Sequence, residues 1–264
     1  MKENILHNLT AECPWRDTLY WYHSIDSTNT QAKRMAKEGA PHGTVLIAGH
    51  QTGGRGRMGR TFQSPEGKGM YLSVILRPCC RPEELMHLTC AAGVAAAEAV
   101  ERVSGLRPGL KWINDLVIGV KKLGGILVEM AVDNGLVEYA VIGIGINCLQ
   151  TQEDFPPEID QIATSVFLSA AKTVSPCELA AALVEALWRM DSVLLPQKAA
   201  LMAAYKERCV TLGKPVQVLR ADSVRPGKAL DLDMDGGLLV VYEDGSREVV
   251  SSGEVSVRGM YGYV

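Results

Sequence analysis

The hydrophobic pattern of this chain changes character once, just after Leu212, and that change limits the folds open to it. Before it, short apolar runs alternate with longer segments of helical periodicity. After it come four short strand-like runs, at residues 215–220, 227–233, 238–242 and 248–251. Glycine and aspartate turns separate them, including Asp235-Gly236-Gly237 and Asp244-Gly245. Short strands at such close spacing are the signature of a small β-barrel. With 264 residues the chain has room for one large unit and this small one. The boundary is expected near Cys209, giving units over residues 1–208 and 209–264.

The first unit reads as α+β, a mixed β-sheet with flanking helices. Strands are expected at residues 20–25, 44–48 and 70–76. Asp26-Ser27-Thr28-Asn29 offers N-cap residues for a helix ending near Gly39. Pro82 opens a helix through residue 103, with Leu85, Leu88, Ala92, Ala96 and Ala99 on one face. Short strands follow at 110–112 and 116–118, then a stronger one at 125–132. Asp133-Asn134-Gly135 is a hairpin turn that pairs it with residues 136–144. Ser175-Pro176-Cys177-Glu178 is a capping box with proline at the first helical position. It predicts helices over 176–195 and 197–210.

Composition excludes several classes. Apolar residues are 47% and charged residues 22%, as in globular proteins, and a net charge of −3 gives no general drive towards nucleic acid or anionic membranes. No apolar run is long enough to span a bilayer, and the N-terminus lacks a signal-peptide core. Seven scattered cysteines without a C-x-x-C argue against a disulfide framework or zinc site and for a reducing cytoplasm. The five histidines (7, 23, 42, 50 and 87) form no metal or triad spacing, and no Ser/His/Asp or Cys/His arrangement is present.

Against that background, Gly54-Arg55-Gly56-Arg57-Met58-Gly59-Arg60 stands out. It matches G-x-G-x-x-G literally, but a dinucleotide site needs a helix to start there. Arg60-Thr61-Phe62-Gln63-Ser64-Pro65 does not read as one, and there is no Walker motif. Three readings remain: a solvated surface loop, an Arg-Gly tract on nucleic acid, or a cationic lid. Ordering a loop costs about 1–2 kcal/mol per residue, so a lid of this composition closes on an anion whose arginine contacts offset that cost. Lys111, Lys121 and Lys122 flank strands, and Gly124-Gly125 allows close backbone approach to a ligand. Read alone, these are exposed lysines at a hairpin end, and Asn114-Asp115 is turn chemistry.

Jointly, these runs resemble the biotin–protein ligases, over about residues 24–258. The runs that carry the resemblance are Asp26-Ser27-Thr28-Asn29, Gln51 through Arg60, and Ser64-Pro65-Glu66-Gly67 with Tyr71-Leu72-Ser73. To these add Lys111 through Asp115, Lys122 through Glu129, Gly143-Ile144-Gly145-Ile146-Asn147, and the late Ser252 through Arg258. The resemblance implies a class II synthetase-like catalytic domain followed by an SH3-like barrel. It implies ATP-dependent biotinylation of a lysine on a biotin carboxyl carrier protein or carboxylase biotin domain, through biotinyl-5′-AMP. Biotin, ATP and Mg²⁺ are the expected ligands, with no protein ligands assigned to the metal.

By position, Ser27, Thr28, Asn29 and Gln51 match the residues that hold the ureido ring. Arg55, Gly56 and Arg57 match the lid, Lys122 the lysine on the carboxylate, and Gly125 its neighbouring backbone. Lys122 and Arg57 are the expected catalytic pair. Arg57, Phe62, Lys111, Asn114, Asn147 and Arg258 are expected on the nucleotide side. Ile113 stands where the family often has proline. The stretch before the first strand is too short for a winged-helix DNA-binding domain, so no DNA partner and no repressor role are expected. A homodimer is compatible with the family. Lipoate ligases and octanoyl transferases share the fold, but a polar Ser-Thr-Asn-Gln cluster is wasted on an acyl chain. A non-enzymatic nucleic-acid binder is the remote alternative.

Overall fold

The computed structural model describes residues 1–170, 172–220 and 223–251, together with the backbone of Ser256–Gly259. In chain order the first part contains α1 (Lys2–Asn8), β1 (Leu19–Tyr22), α2 (Thr28–Lys37), β2 (Thr44–Ala48), β3 (Gly69–Leu76), α3 (Leu88–Ser104), β4 (Gly109–Lys111), β5 (Asp115–Ile118), β6 (Lys121–Asp133) and β7 (Leu136–Asn147). Then come α4 (Val166–Ala170), α5 (Pro176–Val193) and α6 (Lys198–Arg208). The C-terminal strands are β8 (Pro215–Arg220), β9 (Ser223–Leu232), β10 (Leu238–Tyr242), β11 (Arg247–Val250) and β12 (Ser256–Gly259).

Seven strands form one mixed sheet in the order β1-β2-β3-β7-β6-β5-β4. Only β1 and β2 run parallel. Alternation divides the sheet into two faces. Leu72 and Val74 of β3 and Ile142, Ile144 and Ile146 of β7 join the main core with α3 and α5. Among the described residues the opposite face is covered by one helix, α2, through Ala32 and Ala36 against Leu46, Ile75, Tyr139 and Val141. This smaller helix layer leaves the far half of that face uncovered by a helix, which is where the site forms.

Several expected elements shift. The first strand is Leu19–Tyr22, and Ile25 makes only an isolated bridge to Gln51. The Pro82 helix is a 3₁₀ turn over Pro82–Leu85 followed by α3. Strand β6 begins at Lys121, four residues before the apolar run, because Lys122 pairs with Val117 on one side and bridges Ala163 on the other. The α5 cap is Ser175 Oγ accepting from Cys177 N at 3.2 Å. The hairpin turn stands as expected: Asn134 (φ 48°) and Gly135 (φ 79°) supply the two left-handed residues of a tight turn.

The C-terminal strands form an antiparallel sheet in the order β11-β10-β9-β8-β12. It docks on the first sheet through buried polar contacts. Trp112 Nε1 donates to Gly236 O at 2.8 Å, Trp112 N donates to Thr211 Oγ1 at 2.9 Å, and Val210 N reaches Leu110 O at 3.0 Å. Lys206–Asp231 and Lys198–Asp235 ion pairs reinforce the seam. Among the described residues no helix is long and apolar enough to cross a membrane.

Candidate active site

The floor of the site is set by the sequence Gly143-Ile144-Gly145-Ile146. The isoleucines enter the core, so the glycines face the other side. A Cβ on Gly143 would lie 1.9 Å from Asn29 Oδ1, and one on Gly145 would lie 2.5 Å from Phe62 Cε1. Only glycine lets these two side chains lie flat on the strand. Above this floor lies a cavity of about 600 Å³, closed by the 51–62 loop, the start of β6 and the β4–β5 turn.

One end of the cavity is neutral and hydrogen-bonded. Ser27 caps α2: its backbone is extended (φ −158°) and its Oγ accepts from Thr30 N at 3.4 Å. Thr28 and Asn29 fill the helix's first turn and are buried. Gln51 Oε1 accepts from Thr28 N at 2.8 Å and from Thr28 Oγ1 at 3.1 Å, while its Nε2 donates to Ser64 Oγ at 3.0 Å. Ser73 Oγ sits 2.8 Å from Thr28 Oγ1 and 2.7 Å from Asn29 Oδ1. The contacts among Thr28, Gln51, Ser73 and Asn29 side chains share only two hydroxyl protons, so the cluster has surplus acceptor capacity.

The other end is cationic. Arg55, Arg57, Lys111 and Lys122 all line the cavity. Arg55 pairs with Glu129 at 3.5 Å, Lys122 with Asp115 at 2.6 Å, and Arg57 Nη1 donates to Asn114 Oδ1 at 3.3 Å. Burial lowers the Arg57 pKa, Asp115 opposes that shift and Arg60 adds to it. Lys111 is 8% exposed at the end of β4. The arginine loop has a shape of its own: Phe62 N donates to Gly54 O at 2.9 Å, Gly56 N to Arg60 O at 2.7 Å, and Arg55 bridges Thr61. The expectation of a loop ordered only by an anion leaves these bonds out.

Ser27, Thr28, Asn29, Gln51, Arg55 and Gly56 all stand on the cavity wall, as do Arg57, Phe62, Lys111, Asn114, Lys122 and Gly125. Asn147 does not. It is buried off the lining, on the same face of β7 as Gly143 and Gly145, donating to Thr164 O at 2.9 Å and accepting from Gln150 Nε2 at 3.1 Å. The backbone at Arg258 pairs with Gln217, but its side chain lies outside the described residues. Residues not assigned from sequence also contribute. Asp115 and Ser73 belong to runs already singled out and gain a role only through their partners. Gln217 reaches the cavity from β8, and nothing in one sequence signals that.

Residues 21–147 match the Biotin/lipoate A/B protein ligase family, and residues 211–258 match the biotin protein ligase C-terminal domain. The chain is 35% identical over 241 residues to a biotin–[acetyl-CoA-carboxylase] ligase of Mycobacterium tuberculosis, covering 87% of this chain and 85% of that protein. It is 34% identical over 237 residues to the bifunctional ligase/repressor BirA of Bacillus subtilis, covering 88% and 72%. A biotin protein ligase from Aquifex aeolicus, solved in complex with biotin and ATP, superposes with a TM-score of 0.76 at 29% identity, covering 92% of this chain and 99% of that one. The chain belongs to the biotin protein ligase family.

Proposed function

We propose that this protein joins biotin to a specific lysine of a biotin carboxyl carrier protein or carboxylase biotin domain, at the expense of ATP. The observation that carries this reading is the two-ended cavity, with neutral hydrogen-bonding groups at one end and cations at the other. A urea presents two N–H donors and one carbonyl in fixed geometry. The surplus acceptors among Thr28, Asn29, Gln51 and Ser73 answer its N–H groups, and the Ser27 hydroxyl at the helix start answers its carbonyl. The carboxylate at the far end of biotin then points towards Lys122, Arg55 and Arg57, beside the backbone of Gly56 and Gly125.

In the first step a carboxylate oxygen attacks the α-phosphate of ATP and pyrophosphate leaves. In the second, the carrier's lysine amine attacks the resulting mixed anhydride and AMP leaves. Neither step requires a nucleophilic side chain. Lys122 and Arg57 are the catalytic residues in this reading, stabilising charge at the carboxylate and phosphoryl oxygens. Phe62, Lys111 and Asn114 serve the nucleotide on the cavity wall. Asn147 serves it from a buried position off the lining, and Arg258 from the C-terminal sheet. Mg²⁺ accompanies the phosphates, which agrees with its habit of keeping waters and substrate oxygens as ligands. Among the described residues no group of three or more His, Cys, Asp or Glu forms a metal cage.

The C-terminal sheet is read as an SH3-like barrel forming a second unit from residue 209. Exposed Met130, Val132 and Leu136 at the β6–β7 hairpin support a homodimer. The loop arginines line the cavity, Arg55 paired with Glu129 and Arg57 with Asn114, which supports a small anionic ligand rather than DNA as their target. Seven free cysteines support a cytoplasmic location. The test is to incubate the protein with Mg-ATP, biotin and an apo carrier protein and to weigh the carrier. A gain of one biotinyl group that requires ATP is expected; an unmodified carrier contradicts the reading.

A further inference from the structure

Glu129 closes the Lys122–Glu129 run and has no part in the reaction as described above. It lies on β6 on the α2 side of the sheet, where three groups converge on its carboxylate. Lys33 Nζ donates to Oε1 at 2.6 Å, Arg55 Nη1 lies 3.5 Å from the same oxygen, and Asn29 Nδ2 donates to Oε2 at 3.0 Å. One side chain therefore ties α2, at two positions, to the arginine loop.

The consequence for Asn29 is orientational. Its amide nitrogen also reaches Leu127 O at 3.3 Å, so both N–H groups point at acceptors. Its Oδ1 is left facing Ser73 Oγ at 2.7 Å, over Gly143. Flipping the amide would set Oδ1 against a carboxylate and a carbonyl, which neither can satisfy. The carboxylate thus fixes Asn29 as an acceptor towards the cavity. The consequence for the loop is mechanical. Arg55 is the residue through which the loop pairs with Thr61, and Arg57 follows two positions later. Holding Arg55 holds the stem from which Arg57 projects.

We infer that Glu129 is a positioning residue acting on both ends of the substrate: it presets Asn29 to accept a ligand N–H, and it anchors the loop that carries Arg57. This rests on the biotin reading of the same cavity.

The test measures biotin affinity by calorimetry and the loss rate of bound biotinyl-adenylate. Wild type is compared with Glu129→Gln, Asn29→Ala, Arg55→Ala and the two doubles that pair Glu129→Gln with each. Glu129→Gln should weaken biotin about tenfold and shorten adenylate retention severalfold, the scale of a charge-assisted hydrogen bond. The double with Asn29→Ala should lose less biotin affinity than the two single losses combined, because the Asn29 share of the Glu129 effect is already gone. The double with Arg55→Ala should lose adenylate no faster than Arg55→Ala alone, because linked residues give non-additive effects. Should Glu129→Gln not fold, Glu129→Asp, whose shortened carboxylate reaches neither partner well, should show the same paired losses at a wild-type melting temperature. Additive effects in either double, or wild-type values for both Glu129 variants, overturn the inference. A wild-type protein that binds no biotin fails the underlying reading instead.

Discussion

The two ends of the cavity are held in different ways. At the neutral end Ser27 caps Thr30 N, Gln51 accepts from Thr28, and Asn29 accepts from Ser73, at distances of 2.7–3.4 Å, on the first turn of a helix and a strand floor. At the cationic end the charges sit on a loop and on strand ends, and Arg55 and Lys122 are each tied to an acidic partner. The neutral end is preset; the cationic end must exchange partners when an anion arrives. Recognition at the first end and chemistry at the second should therefore respond differently to substitution.

The largest expected effect is at the cationic end. Lys122→Ala should slow adenylate formation by about 10²–10³, the usual effect of removing one preorganised electrostatic contact. A pyrophosphate-release rate within threefold of wild type would assign that charge stabilisation elsewhere. Next comes the floor of the neutral end. Gly143→Ala places a methyl group where Asn29 Oδ1 now lies, and overpacking of this kind costs about 1–3 kcal/mol. Biotin affinity measured by calorimetry should fall about 10–100-fold, while a value unchanged from wild type would break the link between Gly143 and ligand recognition.

Arg57→Ala should act on retention. Loss of a charged hydrogen bond of about 1.5–3 kcal/mol predicts at least tenfold faster release of the adenylate, read from its half-life on the enzyme. Equal half-lives would remove Arg57 from the lid. The smallest effect is with pH. Burial works to raise the Glu129 pKa, but hydrogen bonds from Lys33 and Asn29, with the charges of Lys33 and Arg55, outweigh it and hold the carboxyl below its ordinary value. A lowered carboxyl pKa contributes stability above the unfolded value, about 4.3, and loses it as pH falls through the folded value. Biotin affinity should then stay flat from neutral pH down to about 5. A drop within that window would contradict a charged Glu129 anchoring this end.

The contrast also explains what could be read before the structure. The neutral end was legible because it is local: a helix cap at Ser27 with Thr28 and Asn29 beside it is a short-range pattern. The arginine loop was legible as charge on glycine, but its backbone pairs to Phe62 and Arg60 were not, because return pairing leaves no periodic trace. The start of β6 was missed because Lys121-Lys122 and Gly124-Gly125 break alternation; the strand continues there through its neighbours Val117 and Ala163. Helix α1 is short and buries only Ile5, too little to show in sequence. Glu129 and Gln217 acquire their places only through long-range packing, one across α2 and the loop, the other from β8. Asn147 was legible by motif, but its buried bonds to Thr164 and Gln150 come from packing that the motif does not show.

Pyrophosphate release on mixing the protein with Mg-ATP and biotin, with lipoate and octanoate in parallel, tests most directly the claim that the neutral end selects the substrate. Release with biotin alone is the predicted result. Release with lipoate or octanoate at a comparable rate would contradict it, because neither carries a urea for Thr28, Asn29 and Gln51 to read.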